Sequence, residues 1–180
     1  MPTPPQAPWR RRLERIDAVR HGLLADLVAR NQAQLMQSPG GDRWSVLQIV
    51  EHMILAEQAI LLGLPPLTAL EERPRTLRNR LLYGVVVAVL RFRIRVKVPS
   101  RRMVPTGQLS LESLKPLWEA NHQWLRGYTA SLSPGGEQAA VFRHPVAGPI
   151  SLAQALRLDE LHLDIHVRQI RTLLSPASRS

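Results

Sequence analysis

The chain has 180 residues, a formal net charge of +10 and no cysteine. This length suits one ordinary domain with a real core, and the lack of cysteine excludes a disulfide framework, a thiolate nucleophile and a cysteine metal site. The longest apolar run, residues 81–90, is far shorter than the ~20 residues of a membrane span, and the first residues lack the apolar segment of a signal peptide. We therefore expect a cytoplasmic protein without a membrane span.

Helical periodicity predicts an all-α fold. A Pro-rich tail at residues 1–8 and a short tail at 175–180 flank a single domain at 9–174. Four long helices are predicted in it, at 9–36, 46–62, 111–132 and 152–174. An extra linker helix is predicted at 76–90, between the second and third long helices.

The second predicted helix carries a histidine in an apolar stripe. Ser45 and Gln48 have the spacing of a capping box at its start, and we expect Trp44 to pack against the helix entry. His52 lies two turns further on, on the same face as Ile49.

Residues 73–102 contain ten basic residues, preceded by only Glu71 and Glu72 as local acids. Residues 91–98 alternate basic and apolar, which predicts an extended segment with Phe92, Ile94 and Val96 packed on the bundle. We interpret this part as a solvated linker; the alternative is a binding site for an anionic substrate or a polyanion. There is no nucleic-acid motif and little aromatic interleaving, so a nucleic-acid partner is not expected.

Three further histidines and one short segment are not assigned to the site. We expect His21 to lie on the surface and His122, beside Asn121 in the third predicted helix, to have a structural or surface role. His144 precedes a turn and is expected at the mouth of a cleft rather than as a metal ligand. Residues 137–143 are too few for a firm assignment.

The fourth predicted helix, capped by Ser151 and Gln154, has two histidines and a carboxylate on its apolar face. That face comprises Leu152, Ala155, Asp159, His162, His166, Ile170 and Leu173. Burying these polar groups without partners is costly, and a shared ligand would remove that cost.

His162 and His166 are four residues apart, a spacing that lets both bind one metal ion. With His52 from a facing helix they would form a three-histidine site with one open position, the pattern of catalytic zinc. Three alternatives to a metal site stay open at this point. Each histidine could be a core imidazole with its own hydrogen-bond partners, or the two in the fourth helix could fill polar gaps independently. His162 and His166 could also face a dimer interface.

Two stretches, WSVLQIVEHM and HPVAGPISLAQALRLDELHLDIHVRQI, with VKVPSRRMVP between them, carry a resemblance to a known family. Over roughly residues 13–174 the chain resembles the DinB-like (DinB/YfiT) superfamily of metal-dependent bacterial enzymes. The resemblance implies an up-down-down-up four-helix bundle with one metal held by His52, His162 and His166. Known relatives include thiol-dependent transferases and isomerases.

The expected function is therefore that of a metal-dependent transferase acting on a low-molecular-weight thiol, or of a hydrolase-like enzyme that uses a metal-activated hydroxide. Zinc is the first choice of metal and nickel the second, since imidazole suits both. Asp159 is expected either to orient an imidazole or to accept a proton from the fourth ligand, and Gln48 is expected to do the same for His52. We also expect the substrate to be a small molecule and the protein to form a homodimer. The alternative function is a non-enzymatic bundle that binds a ligand, or a polyanion through residues 73–102.

Overall fold

The computed structural model describes residues 7–41, 43–70, 74–94 and 100–175. Four long helices form a bundle: α1 (Pro8–Val28), α3 (Val46–Leu61), α5 (Leu111–Ala130) and α7 (Leu152–Leu174). The shorter elements are the helices α2 (Gln32–Met36), α4 (Leu77–Arg91) and α6 (Gly136–Ala139), and the strands β1 (Val141–His144) and β2 (Gly148–Ser151). The predicted all-α bundle with a linker helix is confirmed; the strands form only a two-stranded antiparallel hairpin.

Contacts between α3 and α5 show that these two helices run in the same direction. The Asn121 amide donates to the Ile54 carbonyl at 3.1 Å. Further along both segments, the Tyr128 hydroxyl of α5 donates to the carbonyl of Pro65, which follows α3, at 2.8 Å. Because the later residue of one segment meets the later residue of the other, α3 and α5 are parallel.

The same comparison orients the other two long helices. Glu160 near the start of α7 pairs with Arg12 near the start of α1, and the far ends of both helices line a common cleft, so α1 and α7 are parallel. Arg20 pairs with Glu119 and Asp17 with Arg126, which makes α1 antiparallel to α5. The bundle is thus up-down-down-up, as expected.

The prediction of a single first helix is wrong, because the helix is interrupted at residues 29–31. Instead of one helix over residues 9–36, α1 ends at Val28 and α2 begins at Gln32. The Asn31 side chain accepts a hydrogen bond from the Ala33 amide at 2.8 Å. This cap starts a new helix, a preference of Asn that outweighs the periodicity of the apolar residues.

Helix α4 packs over the hairpin. The Asn79 side chain donates to the Ala147 carbonyl at 3.2 Å. At Gly148, which has φ +71°, a side chain would strain the backbone, and its Cβ would lie 2.6 Å from the Asn79 amide nitrogen and displace that side chain. Residues 137–143, unassigned from the sequence, form α6 and most of β1.

The expected packing of Phe92 and Ile94 on the bundle is wrong, because these side chains are 73% and 57% exposed. Arg91 is the last residue of α4, and Val96 lies outside the described residues.

In the part of the chain that the structure describes, no helix has the length and apolar character needed to cross a membrane.

The cap of α7 gives a test of the fold. Ser151 is 1% exposed and forms a capping box with Gln154, so Ser151→Ala should lower the free energy of unfolding by about 0.5–2 kcal/mol. Urea unfolding measures this, with Ser133→Ala in an exposed loop as the control. Equal stability of the two variants would contradict the assigned helix start.

Candidate metal centre

Three histidines converge between α3 and α7. The Nε2 atom of His162 lies 3.2 Å from Nε2 of His52 and 3.1 Å from Nε2 of His166. His52 is 5% exposed, and the two histidines of α7 are partly buried. The α3 and α7 helices are antiparallel here, so one histidine from α3 faces two that are one turn apart on α7.

The proton positions of two of the rings follow from their other nitrogens. Nδ1 of His52 lies 2.7 Å from the Met103 carbonyl oxygen, which only accepts, so this nitrogen carries the proton. Nδ1 of His166 similarly donates to Oε1 of Gln169 at 3.0 Å. The Nε2 atoms of both rings therefore present lone pairs toward His162.

Burial keeps all three rings neutral at pH 7. Desolvation lowers the pKa of His52, although the hydrogen bond to Met103 opposes this effect. Desolvation, with the neighbouring His166 and His52, brings the pKa of His162 well below its ordinary value. For His166, desolvation and then His52 lower the pKa to about 4. Neutral imidazole is the form that binds metal ions.

The residues fit a bound metal ion. His162 can donate a proton from Nε2 to only one of its two neighbours, which leaves at least one lone pair unmatched. An ion at the centre would accept all three lone pairs. Two nitrogens each about 2.0–2.1 Å from a tetrahedral ion lie roughly 3.3 Å apart, close to the 3.1 and 3.2 Å found here.

The cluster has one side without a protein ligand. Among the described residues, the group whose ligand atoms lie within 4.8 Å of one another contains His52, His162 and His166 alone. The ring of Trp44, expected only to pack at the helix entry, also contacts the His52 ring, with 4.8 Å between the ring centres. Three protein ligands with a free position are typical of catalytic rather than structural sites.

A buried carboxylate holds the segment that carries the Met103 carbonyl. Oε1 of Glu51 accepts from the Thr106 amide at 2.9 Å and from the Thr106 hydroxyl at 2.8 Å, and Oε2 accepts from the Gly107 amide at 2.9 Å. Glu51 is 4% exposed, so these bonds compensate its burial. Glu51 thus anchors the chain three residues after Met103, whose carbonyl orients the neighbouring His52.

The structure does not place Gln48 or Asp159 against the imidazoles. The Gln48 side chain accepts from the Ser45 amide at 2.9 Å, completing the capping box, and Met103 rather than Gln48 accepts from His52. Among the described residues, Asp159 makes no hydrogen bond to the three rings. It lines a cavity of about 20 Å³, enough for roughly one water molecule.

The same cavity is lined by Glu57, which belongs to a second buried polar cluster. Trp118 Nε1 donates to Oε1 of Glu57 at 2.8 Å, and the Asn121 amide lies 3.4 Å from its Oε2. His122, 1% exposed, contacts Asp17 at 2.8 Å on one side and Glu57 at 3.5 Å on the other. This cluster links α1, α3 and α5.

The pKa of Asp159 is raised well above its ordinary value, first by desolvation and then by the nearby charges of Glu57 and Glu160. Glu57 accepts hydrogen bonds from the side chains of Trp118 and Asn121 in the same interior. Burial and these two carboxylates therefore favour the protonated form of Asp159 in the α3–α5–α7 interior.

Met103, Gln169, Glu51 and Glu57 were not singled out from the sequence. Gln169 lies three residues after His166, a spacing that brings both to one helix face, and this signal was present. The role of Met103 belongs to its backbone carbonyl, so no residue type indicates it. His21 is exposed, and Nδ1 of His144 accepts from the amides of the hairpin turn.

The fold and the site define a class: a four-helix bundle with three histidines from two antiparallel helices around one open position. The sequence profile of the DinB superfamily matches residues 15–170. The chain belongs to the DinB superfamily. No protein of curated function matches the chain.

Two solved structures share the fold. The four-helix bundle protein TT2238 is 21% identical, with a TM-score of 0.56, over 91% of this chain and 98% of its own. YfiT from Bacillus subtilis, described as a probable metal-dependent hydrolase with an unusual four-helix bundle topology, is 18% identical, with a TM-score of 0.59, over 96% and 90%.

Removing one charge tests the role of Glu51. In Glu51→Gln an amide group replaces one acceptor oxygen and faces an N–H donor, so unfolding free energy should fall by about 2 kcal/mol. Zinc affinity should fall by roughly tenfold as the Met103 carbonyl moves. Glu112→Gln, at an exposed position, is the matched control. Unchanged zinc affinity in Glu51→Gln, measured by competition with a chelator, would contradict the positioning role.

The lowered pKa of His166 gives a pH dependence. An ordinary pKa of 6.5 in the unfolded chain and about 4 in the folded protein mean that the unfolded state binds more protons between these values. The metal-free protein should therefore lose stability as the pH falls from 6.5 toward 4. His166→Gln should show a smaller loss over this window in urea titrations. Parallel curves for the two proteins would contradict the assignment.

Proposed function

We propose that the protein is a metal-dependent enzyme in which His52, His162 and His166 hold one divalent ion. The convergence of their Nε2 atoms, with two lone pairs directed at the third ring, is the observation that carries this proposal. Zinc is the first choice and nickel the second, because imidazole suits both ions. The description of YfiT as a probable metal-dependent hydrolase agrees with it.

The chemistry that such an ion supplies is acidification of a water or thiol at the open position. The protein residues have separate roles. Met103 and Gln169 hold the His52 and His166 rings with their lone pairs inward. The Trp44 ring packs against the His52 ring.

We propose further that the nucleophile is a low-molecular-weight thiol and that the reaction is a transfer to an electrophilic small molecule. The chain has no cysteine, so a sulfur nucleophile must come from a co-substrate. Hydrolysis by a water at the same position is the competing reaction. The two reactions differ in product, which allows a direct distinction.

The metal-binding part is tested by metal content. Protein stripped with a chelator and re-exposed to zinc should take up about one ion per chain, whereas His162→Ala and His166→Ala should bind it orders of magnitude more weakly. His21→Ala, which removes an exposed histidine of the same chain, is the matched control. Equal zinc uptake by wild type and His162→Ala would refute the site.

The reaction is tested by product analysis on zinc-loaded protein with panels of electrophiles, each with and without a small thiol. A thioether product that requires the thiol and is absent in His162→Ala supports transfer. A hydrolysis product formed without thiol supports the competing reaction and refutes the proposal that a thiol is the nucleophile. Neither product with any panel member, in protein that binds zinc, would count against the enzymatic proposal.

A further inference from the structure

Helix α4 has two different apolar faces. One face packs inward against the hairpin and α7, where a small cluster contains Phe142, Ile150 and Leu158. The α4 residues on that face are Tyr83, Val86, Val87 and Leu90. At about 100° per residue these four side chains occupy a sector of roughly 100°. This packing accounts for one side of the helix only.

The other face of α4 is apolar and exposed to solvent. Leu77, Leu81 and Val85 are 77%, 72% and 54% exposed, and Phe92, which caps the helix, is 73% exposed. These four positions fall within a sector of roughly 80° whose centre is nearly opposite the packed face. Single exposed apolar residues are ordinary, but a continuous stripe marks an interaction surface. We refer to these four residues as the α4 stripe.

Arginines flank the α4 stripe on both sides. Arg78 lies at one edge, Arg80 and Arg91 lie at the other, and all three are exposed. No aspartate or glutamate occurs in residues 73–111. In the described part of the chain, no carboxylate lies within ion-pair distance of these three arginines, whereas Arg12, Arg20 and Arg126 in the bundle have acidic partners.

An apolar centre with basic edges is the pattern of a helix that lies in a membrane interface. The apolar side chains enter the boundary between headgroups and acyl chains, and the basic groups stay at the level of the phosphates. From this charge pattern we propose that α4 docks the protein on an anionic lipid surface. The packed face then holds the bundle on the water side.

The charges disfavour a second copy of the chain as the occupant. A symmetric dimer through the α4 stripe would place each arginine edge against the same positive face of its partner. A nucleic acid would pair with the arginines but leave the α4 stripe in contact with water. Bases stack on aromatic rings, and Phe92 is the one aromatic residue of the stripe. An anionic lipid surface satisfies both parts.

The proposal is tested by vesicle co-sedimentation of the zinc-loaded full chain. One set of vesicles is phosphatidylcholine alone, and the other is phosphatidylcholine and phosphatidylglycerol in equal parts. We expect binding to the anionic vesicles only, weakened by added salt. No binding to the anionic vesicles by folded wild-type protein would overturn the proposal.

Two variants separate charge from apolar contact. Arg78→Gln, Arg80→Gln and Arg91→Gln combined should weaken binding by more than about tenfold. Leu81→Gln with Phe92→Gln should also weaken it by about tenfold or more, because the apolar contact is lost. The charge control combines Arg11→Gln, Arg30→Gln and Arg168→Gln, and the apolar control combines Val28→Gln and Val146→Gln, all at exposed positions. Both controls should bind as wild type.

Three further outcomes would overturn the proposal. Unchanged vesicle binding by the apolar variant would mean that charge attraction alone accounts for the binding and that the α4 stripe does not enter the membrane interface. Conversion of an oligomer to a monomer by the apolar variant, with vesicle binding unchanged, would assign the α4 stripe to self-association. Steeply salt-dependent binding of duplex DNA that the arginine variant loses, without vesicle binding, would assign the surface to nucleic acid.

Discussion

The contact among three imidazole nitrogens between α3 and α7 is the constraint on which the site depends. Lone pairs repel each other, and a single Nε2 proton on His162 can satisfy only one of the two directed at it. Burial also keeps the rings neutral, so protonation does not relieve the conflict at pH 7. A cation accepts all three lone pairs, and the spacing of the nitrogens agrees with tetrahedral coordination.

Helix α3 connects this site to the rest of the bundle through three side chains with different partners. Glu51 holds the segment before α5, His52 faces α7, and Glu57 accepts from Trp118 inside the α3–α5 interface. Buried carboxylates are stable only when donors surround them, and both glutamates have such donors. The ring of His52 is held by the Met103 carbonyl, and Glu51 binds the same segment a few residues further on.

The positive charge of the protein is distributed in two ways. In the bundle, arginines pair with carboxylates across helices, as in the contacts of Arg126 with Asp17 and Glu119. Along α4 the arginines border exposed apolar side chains, and residues 73–111 contain no aspartate or glutamate. Internal pairing explains the first group, and an external partner is proposed for the second.

The sequence by itself determined the local features. The capping boxes at Ser45 and Ser151 and the spacing of His162 and His166 depend on residues three or four positions apart, where helix geometry alone sets the contact. These features predicted the helix starts and the two α7 histidines of the site. The direction of each helix was expected only through the family resemblance, since periodicity does not show which ends meet.

Only the tertiary structure decided how the site is supported. Met103 acts through a backbone carbonyl 51 positions from His52, and a carbonyl is common to every residue type. Asp159 and His162 are about 60° apart on α7, which places both on one apolar face. Packing then directs His162 toward the other imidazoles and Asp159 toward the cavity beside Glu57. Periodicity identifies the buried face of a helix, but the neighbour that each side chain meets depends on contacts between distant segments.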